Sequence, residues 1–354
     1  MASRSVAVLG ASGYAGAEIA RLLAHHPALR LRVAAAGASA GQTLGTVHPQ
    51  LTGLPGADLV LCRADAAPLG EVDVVFLALP AGQSAAVVER LDAEQAVVDL
   101  GADHRLGDAA AWDSYYAHAT TADGSPARHA GQWLYGLPEL PGTRDALPAA
   151  RRVANPGCFP TAVVLGLAPL LAAGLVEPDD VVVVAATGTS GAGRSPSVDL
   201  LASEVAGSAR AYRVGGHQHT PEIEQALAGV AGSPVTVSFT SVLAPMPRGI
   251  LATSTARMVD GVDAATVHDA LRAAYAGEAF VHVLPPGQWP ASGSTTGSNA
   301  VHLQATVDPH AGRVIVVAAL DNLVKGAAGQ AVQNANLMLG LAETAGLAGG
   351  GVAP

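Results

Sequence analysis

The chain of 354 residues is long enough for about two domains of roughly 150 residues each. Half of its residues are hydrophobic and only 14% are charged, which excludes an intrinsically disordered protein. The formal net charge is −10 without a basic stripe, so no nucleic-acid partner is expected. Because no run approaches the roughly 18 unbroken apolar residues of a membrane helix, no membrane partner is expected either.

The two cysteines, Cys62 and Cys158, are too few for a disulfide framework. Residues 1–5 lead directly into a strand-like run and contain no signal-peptide core. Both observations predict a cytoplasmic protein in a reducing compartment. Lys325 is the only lysine, so a Schiff-base mechanism would have to use that residue.

The first hundred residues alternate short apolar runs with amphipathic stretches, a pattern typical of alternating strands and helices. The predicted strands cover residues 6–9, 31–36, 73–79 and 97–100, and the predicted helices cover residues 14–24 and 83–91. Continuously apolar strands separated by helices favour an α/β fold, a Rossmann-like doubly wound parallel sheet with helices on both faces. Residues 103–147 are predicted to form loops and surface elements.

The pattern after Cys158 is richer in long strands. The predicted helices cover residues 161–171, 198–205 and 327–341, and the predicted strands cover residues 181–186, 235–243, 250–258, 299–307 and 314–320. Long strands with few intervening helices favour an α+β domain with a mainly antiparallel sheet. We therefore expect a nucleotide-binding domain over residues 1–157 and a catalytic and oligomerisation domain over residues 158–320.

A glycine-rich turn joins the first strand to the first helix. Its expected cofactor contacts are Gly10, Ser12, Gly13, Tyr14, Ala15 and Gly16. Glycines let backbone amides approach a pyrophosphate, and the helix N-terminus adds partial positive charge. The spacing G-x-x-G-x-x-G is less specific than G-x-G-x-x-G, and a tight turn without a ligand is the alternative.

The loop after the second strand distinguishes the two nicotinamide cofactors. Enzymes that use NAD place Asp or Glu about 20 residues after the glycines to hold the ribose 2′-hydroxyl. Residues 34–41 contain no carboxylate, and Ser39 with nearby amides could accept a 2′-phosphate. The loop therefore favours NADP, although it does not identify the groups that hold the phosphate.

Cys158 follows Pro156-Gly157 and directly precedes an apolar helix. A thiol at a helix N-terminus is exposed and has a lowered pKa, as a nucleophile requires. The alternative is a small buried cysteine, which is the interpretation preferred for Cys62 in its apolar run.

Two histidines, His217 and His219, lie in a glycine loop before a helix predicted to have Thr220 as its N-cap and Pro221 as its first residue. With Glu222 behind them, one imidazole could exchange a proton with the thiol and the other could bind substrate. We expect His217 to be the acid–base, because the preceding glycines give it freedom, and His219 to bind an anion at the helix N-terminus. The reverse assignment, a zinc site and a pair of surface histidines remain alternatives, although no third ligand supports a metal.

A second glycine-rich loop, over residues 187–195, follows a strand. Ser190 and Gly191 could approach a flat ring or a phosphate, and Arg194 is available for an anion. A flexible connection without a ligand is the alternative.

Four motifs together resemble the N-acetyl-γ-glutamyl-phosphate reductase family, NADPH enzymes of arginine biosynthesis within the semialdehyde dehydrogenase superfamily. They are residues 10–16, Asn155-Pro156-Gly157-Cys158, residues 217–222 and residues 321–331. The resemblance covers nearly the whole chain in the right order. One departure lies in residues 98–105, where Gly101 and His104 replace the usual Ser and Phe.

The resemblance implies that Cys158 is the nucleophile and that one histidine of the loop is the acid–base. It implies that residues 321–354 complete the nucleotide-binding domain and that Asn322 lies near the nicotinamide. We also expect Pro80 among the cofactor contacts, and Arg105, Arg194 and Glu222 among the substrate contacts. The expected partners are a small acyl-phosphate substrate and further copies of the chain, in a homodimer or homotetramer.

The expected reaction is reduction of N-acetyl-L-glutamyl 5-phosphate through a Cys158 thioester, with NADPH as the hydride donor. The same chemistry on aspartyl phosphate or an N-acylated aminoadipyl phosphate is the alternative, because one methylene changes binding by only about 1–3 kcal/mol. A more remote alternative is a non-catalytic, NADP-binding redox regulator.

Overall fold

The structure, a computed structural model, describes residues 3–352 and consists of two compact units. The first unit comprises Met1–Pro138, Gly142–Pro156 and Ala327–Leu347, and the second comprises Glu139–Pro141, Gly157–Gly326 and Ala348–Pro354. Residues 321–326 and 348–352 thus differ from the expected assignment to the nucleotide-binding domain, because their hydrogen bonds lie within the second unit. Residues 353 and 354, the end of that expected segment, lie outside the described residues, as do residues 1 and 2.

Six parallel strands form the sheet of the first unit, in the order β2-β1-β3-β4-β6-β5. The strands are β1 (Arg4–Leu9), β2 (Leu29–Ala35), β3 (Val74–Leu77), β4 (Ala96–Asp99), β5 (Leu134–Tyr135) and β6 (Arg152–Ala154). The strand order reverses between β1 and β3, which is where sheets of this kind bind nucleotides at their carboxyl edge.

Seven strands form the sheet of the second unit, in the order β11-β12-β13-β10-β7-β9-β8. They are β7 (Val181–Thr187), β8 (Arg210–Tyr212), β9 (Val237–Leu243), β10 (Ile250–Arg257), β11 (Val281–Val283), β12 (Val301–Asp308) and β13 (Arg313–Leu320). Four neighbouring pairs are antiparallel, and only β7–β9 and β11–β12 are parallel. The predicted fold class is confirmed in both halves.

Ten α-helices accompany the two sheets in the described residues. They are α1 (Tyr14–Ala24), α2 (Leu44–Val47), α3 (Ser84–Val88), α4 (Ala109–Tyr115), α5 (Thr143–Ala146), α6 (Cys158–Ala172), α7 (Ala202–Val205), α8 (Thr220–Ala231), α9 (Ala264–Ala274) and α10 (Gly329–Met338). Among residues 3–352, no helix is long and apolar enough to cross a membrane.

Alternate residues of β1 enter two separate cores, which is why its continuous apolar run forms a central strand. Val6 and Val8 pack with α1 and α10, whereas Ala7 and Leu9 pack on the other face with Val87 of α3. Successive side chains of a strand point to opposite faces of the sheet, so a strand whose residues are all apolar has both of its faces covered.

Several predicted boundaries differ from the structure. The helix predicted over residues 83–91 ends at Val88, and the helix predicted over 198–205 is a 3₁₀ turn followed by α7. The final helix begins only at Gly329, after the π-helical turn Val324–Ala328. Residues 103–147, predicted as loops and surface elements, contain α4, β5 and α5, and Trp112 of α4 is buried in a small core of its own.

Candidate active site

Cys158 lies at the N-terminus of α6, as expected, but the helix begins at Cys158 itself, three residues before the predicted start at residue 161. Gly157 is the N-cap, with extended dihedral angles of −69° and 157°, and its carbonyl accepts a hydrogen bond from Thr161 Oγ1 at 2.9 Å. Twelve of the 15 residues of α6 are buried, but the thiol residue remains partly accessible. The first-turn N–H groups of a helix have no intrahelical acceptors and favour a negative charge such as a thiolate.

The imidazole of His219 packs against Gly157, one residue before the thiol. A Cβ atom built on Gly157 would lie 2.7 Å from His219 Nε2, so only glycine leaves room for this ring. The ring also meets Phe159 edge-on, with centroids 5.9 Å apart. His219 rather than Thr220 is the N-cap of α8, because the His219 carbonyl accepts the first helical hydrogen bond, from the Ile223 N–H.

His217 is buried, with 3% of its surface exposed. Three aromatic rings meet it edge-on, with centroids 5.4, 5.6 and 5.0 Å away: Phe159, Tyr212 and Phe239. Its Nδ1 accepts a hydrogen bond from the His219 backbone N–H at 3.1 Å. Burial, with smaller effects from the charges of His219 and Arg213, lowers the pKa of His217 to about 2. His217 is therefore neutral at physiological pH.

Glu222 ties the start of α8 to the start of α6. Its carboxylate is 1% exposed, and Oε1 accepts a hydrogen bond from the Gly157 N–H at 2.7 Å. A charge-assisted bond of this length fixes the N-cap that carries the thiol. Glu222, which the sequence predicted to bind substrate, thus makes a contact that positions the start of α6.

The segment after β13 also packs against the thiol residue. A Cβ atom on Gly326 would lie 2.8 Å from Cys158 Cβ, so this position requires glycine. The Gly326 N–H donates to the Asp321 carbonyl at 3.0 Å within a π-helical turn, a feature frequent at functional sites.

Asn322, Ser190 and Gly191, all expected to contact the cofactor, lie together in the second unit. Asn322 Oδ1 accepts from the Gly249 N–H at 2.8 Å, and Nδ2 donates to Ser190 Oγ at 3.0 Å. A Cβ atom on Gly191 would lie 3.8 Å from Asn322 Nδ2. The Asn322 amide therefore joins the loop after β7 to the segment after β13.

Sequence reasoning missed the carboxylate that anchors this segment. Asp321 is fully buried; its Oδ2 lies 3.1 Å from Arg248 Nη1 and accepts the Gly297 N–H at 2.7 Å. Asp321 directly follows a buried strand, which was the available signal, but its partners are 73 and 24 residues away along the chain.

The single lysine has a structural contact. Lys325 is fully buried, and its Nζ lies 2.5 Å from Glu139 Oε1. Removing one partner of a buried ion pair leaves an uncompensated charge, at a cost of about 3–5 kcal/mol. We expect Lys325→Met to lower the free energy of unfolding by about this amount, measured by urea denaturation.

The double variant Lys325→Met/Glu139→Gln is the matched control, because it removes both charges. It should recover part of the lost stability. Equal stability of the single and double variants would contradict an ion-pair origin of the effect.

In the first unit, the glycine turn has the geometry that a pyrophosphate requires. Gly10 has φ +82°, and a Cβ atom there would lie 2.1 Å from the Ala78 carbonyl oxygen, so the turn touches the loop after β3. A Cβ on Gly16 would lie 2.4 Å from the Gly10 oxygen. Gly13 is the N-cap of α1, and the first-turn amides of Tyr14, Ala15 and Gly16 have no acceptor within the helix.

The loop after β2 has room for a further group. Gly37 and Ala38 are exposed, Ser39 is half-buried, and a Cβ on Gly37 would meet nothing within 4 Å. Arg63, whose Nη2 lies 2.8 Å from Asp65 Oδ2, directly follows Cys62, whose carbonyl accepts the Ala36 N–H at 2.9 Å.

The remaining predicted residues lie in different surroundings. Pro80 is exposed in the turn before α3, and Ser12 lies in the turn before α1. Arg105 is buried in the first unit, where it donates to the carbonyl oxygens of Asn155 and Leu100 at 2.8 and 2.7 Å. Arg194 is exposed in the loop after β7 of the second unit.

The two residues that depart from the expected family pattern are accounted for by a buried hydrogen-bond network. His104 Nδ1 lies 2.9 Å from Asp99 Oδ2 and its ring stacks on Trp133 at 3.7 Å. The Gly101 N–H donates to Asp99 Oδ1 at 2.8 Å. The His104 ring thus makes both a stacking contact and a polar contact.

Both halves of the chain match models of one enzyme family. Residues 5–148 match the semialdehyde dehydrogenase NAD binding domain, and residues 158–322 match the semialdehyde dehydrogenase dimerisation domain. The chain belongs to the semialdehyde dehydrogenase family. It is an oxidoreductase with an NAD(P)-binding domain.

Within this family, the chain is similar over its whole length to curated reductases. It is 61% identical to N-acetyl-gamma-glutamyl-phosphate reductase of Acidothermus cellulolyticus over 99% of both chains, and 57% identical to that of Streptomyces coelicolor over 98% of both. These relatives confirm the resemblance inferred from the motifs.

Solved structures of the same fold are more distant in sequence. Aspartate semialdehyde dehydrogenase II from Vibrio cholerae, complexed with ASA, has a TM-score of 0.69 at 17% identity and covers 96% of this chain and 99% of its own. Aspartate semialdehyde dehydrogenase with NADP from Candida albicans has a TM-score of 0.64 at 18% identity, covering 95% and 98%. These similarities confirm the fold.

Proposed function

We propose that the protein reduces N-acetyl-L-glutamyl 5-phosphate to N-acetyl-L-glutamate 5-semialdehyde and phosphate, with NADPH, in arginine biosynthesis. The observation that carries this proposal is the position of the Cys158 thiol at the start of α6. The preceding residue, Gly157, packs against the His219 imidazole. The names of the curated relatives favour this substrate over aspartyl phosphate or an N-acylated aminoadipyl phosphate.

In the first step, the Cys158 thiolate attacks the acyl carbon of the substrate. The bond between that carbon and the phosphate oxygen breaks, phosphate leaves with the electron pair, and a thioester remains on Cys158. Glu222 keeps the N-cap of α6 in place during this step through the Gly157 N–H. The first-turn amides of the helix stabilise the attacking thiolate.

When bound, NADPH supplies the hydride that converts the thioester into a thiohemiacetal. Collapse of the thiohemiacetal breaks the carbon–sulfur bond, releases the aldehyde and restores the thiolate. The oxygen of the intermediate must gain a proton and lose it again, which needs a positioned acid–base. We assign this role to His219, the alternative in the sequence analysis, because its ring packs against Gly157 whereas His217 is buried and neutral.

The residues that we propose to hold NADPH fit the cofactor. The glycine turn and the first-turn amides of α1 suit a pyrophosphate, and the strand order reverses beside this turn. The exposed, acid-free loop containing Ser39, with Arg63 next to it, suits a 2′-phosphate. Ser190, Gly191 and Asn322 remain the proposed contacts of the nicotinamide.

Further copies of the chain are the proposed partners, in a homodimer or homotetramer. In β7 the buried residues alternate with more exposed ones, and Val184 is 47% exposed in mid-strand. An uncovered sheet face with apolar residues suits sheet-to-sheet association. Two free cysteines support the proposed cytoplasmic location.

The substrate is tested with the reaction run in reverse. Phosphate-dependent reduction of NADP⁺ is measured with N-acetylglutamate 5-semialdehyde, aspartate 4-semialdehyde and an N-acylated aminoadipate semialdehyde side by side. The highest kcat/KM is expected for the first. A higher value for either other aldehyde would assign the substrate to it, and no turnover with any would support the redox regulator.

The cofactor preference gives a prediction of its own. NADPH should be preferred over NADH, and Ser39→Asp should weaken NADPH binding about 10- to 100-fold by repelling the 2′-phosphate. Fluorescence titration measures the dissociation constants of both cofactors, with Ser39→Ala as the uncharged control. Equal kcat/KM values of the wild type for NADPH and NADH would contradict the interpretation of residues 36–41.

A further inference from the structure

Arg213 has an unusual backbone conformation for a residue with a side chain. Its φ is +46°, and in residues 3–352 only Asp180 shares a positive φ without being glycine. The left-handed region costs a residue with a Cβ atom roughly 1–2 kcal/mol. Asp180 has an evident stabilising contact, because its carboxylate pairs with Arg257 and Arg313. Among residues 3–352, Arg213 has no such pair.

The turn that contains Arg213 carries the chain from β8 to the histidine loop. Tyr212 ends β8, and its carbonyl accepts a hydrogen bond from Ser241 Oγ at 2.7 Å. The Gly216 N–H then donates to the Arg213 carbonyl at 3.2 Å, which reverses the chain directly before His217. The rings of Tyr212 and His217 lie 5.6 Å apart. Arg213 thus directly follows Tyr212, whose ring meets His217, and the His217 ring in turn meets Phe159, the residue after Cys158.

The guanidinium of Arg213 acts electrostatically on that cluster. Its positive charge contributes to the lowered pKa of His217 and opposes the rise in the pKa of Tyr212 that burial causes. The charge of Cys158 also raises the pKa of Tyr212, so the thiol and Arg213 act on the same phenol.

The side chain of Arg213 is exposed and has neither an ion pair nor a hydrogen bond among the described residues. By contrast, neighbouring Arg210 pairs with Asp199 at 3.3 Å, and Arg248 pairs with Asp321. An unpaired guanidinium on the residue between Tyr212 and the histidine loop is available for an anionic group of the substrate.

We propose that Arg213 binds the phosphate group of the acyl-phosphate substrate and holds it as it leaves the Cys158-bound acyl group. A guanidinium offers a planar fork of donors to phosphate oxygens and neutralises the charge that develops on the leaving group. This role rests on the proposed function, because it requires an acyl phosphate at Cys158.

Arg213→Gly is the main test variant, because glycine retains the left-handed backbone and removes only the side chain. Arg213→Lys retains the charge without the fork, and Arg210→Ala, in the preceding strand β8, is the control. In the reverse reaction, Arg213→Gly should raise the KM for inorganic phosphate about 10-fold or more, with the KM for the aldehyde within about 2-fold. Arg213→Lys should give an intermediate KM for phosphate, and Arg210→Ala should leave this KM unchanged.

A second readout needs no turnover. The rate of Cys158 alkylation by anionic iodoacetate, divided by the rate with neutral iodoacetamide, should fall about 10-fold in Arg213→Gly, and protection by inorganic phosphate should weaken equally. If the alkylation rate falls equally with both reagents, Arg213 has a structural role. If both the ratio of the two rates and the KM for phosphate are unchanged, the proposal is overturned. If wild-type Cys158 resists both reagents, the proposed function itself fails.

Discussion

Replacement of Cys158 by serine is expected to abolish turnover while NADPH binds with an affinity within about 2-fold of the wild type. A serine hydroxyl remains protonated at neutral pH, so it is a poor nucleophile even at the start of α6. We expect kcat/KM to fall by about four orders of magnitude or more. Steady-state kinetics measure this loss, and fluorescence titration measures NADPH binding, which depends on the glycine turn instead.

The second cysteine provides the matched control. Cys62 is also partly accessible, but it lies beside β2, where its Sγ contacts the Ala34 carbonyl at 3.6 Å. It has no helix N-terminus to favour its thiolate form. Iodoacetamide at neutral pH should therefore label Cys158 and spare Cys62, as peptide mapping can show, and Cys62→Ser should retain activity. Equal labelling, or labelling of Cys62 alone, would contradict the assignment of the nucleophile.

The sequence predicted the elements whose signal is local. The apolar run of β1 and the amphipathic residues 14–24 correspond to a buried strand and to α1, because burial on one or two faces fixes the period of hydrophobic residues. The turn before Cys158 was predictable for the same reason, since Pro-Gly followed by an apolar run marks a helix start. The structure starts the helix at Cys158, three residues before the predicted start.

Contacts between distant parts of the chain left no such local signal. Glu222 and Gly157 are 65 residues apart, and their hydrogen bond depends on how α6 and α8 pack. The sequence preferred His217 as the acid–base because of its flexible glycines, but three aromatic side chains from different elements bury that ring. The left-handed conformation of Arg213 likewise follows from the turn that β8 and the histidine loop impose.

The two histidines should therefore differ in their effect on catalysis. His219→Asn should lower kcat about 10²- to 10⁴-fold, the usual contribution of general acid–base catalysis, and should remove one limb of the pH–rate profile. His217→Asn should leave that limb in place, because His217 has a pKa of about 2 and does not ionise between pH 5 and 9 in the folded protein. Exchanged results would assign the acid–base to His217, and losses below a few-fold in both variants would place it elsewhere.

Stability against pH separates the two residues without any assay of activity. His217 stays neutral in the folded protein, whereas an unfolded chain binds a proton at this residue below its ordinary pKa of about 6.5. The unfolded state therefore binds more protons in the window from about pH 6.5 down to about 2, and the free energy of unfolding falls as the pH is lowered through it. His217→Asn should weaken this dependence, measured by urea denaturation at pH 7.5 and 5.5. An unchanged pH dependence in that variant would mean that the buried imidazole accepts its proton in the folded state, which would return His217 to candidacy as the acid–base.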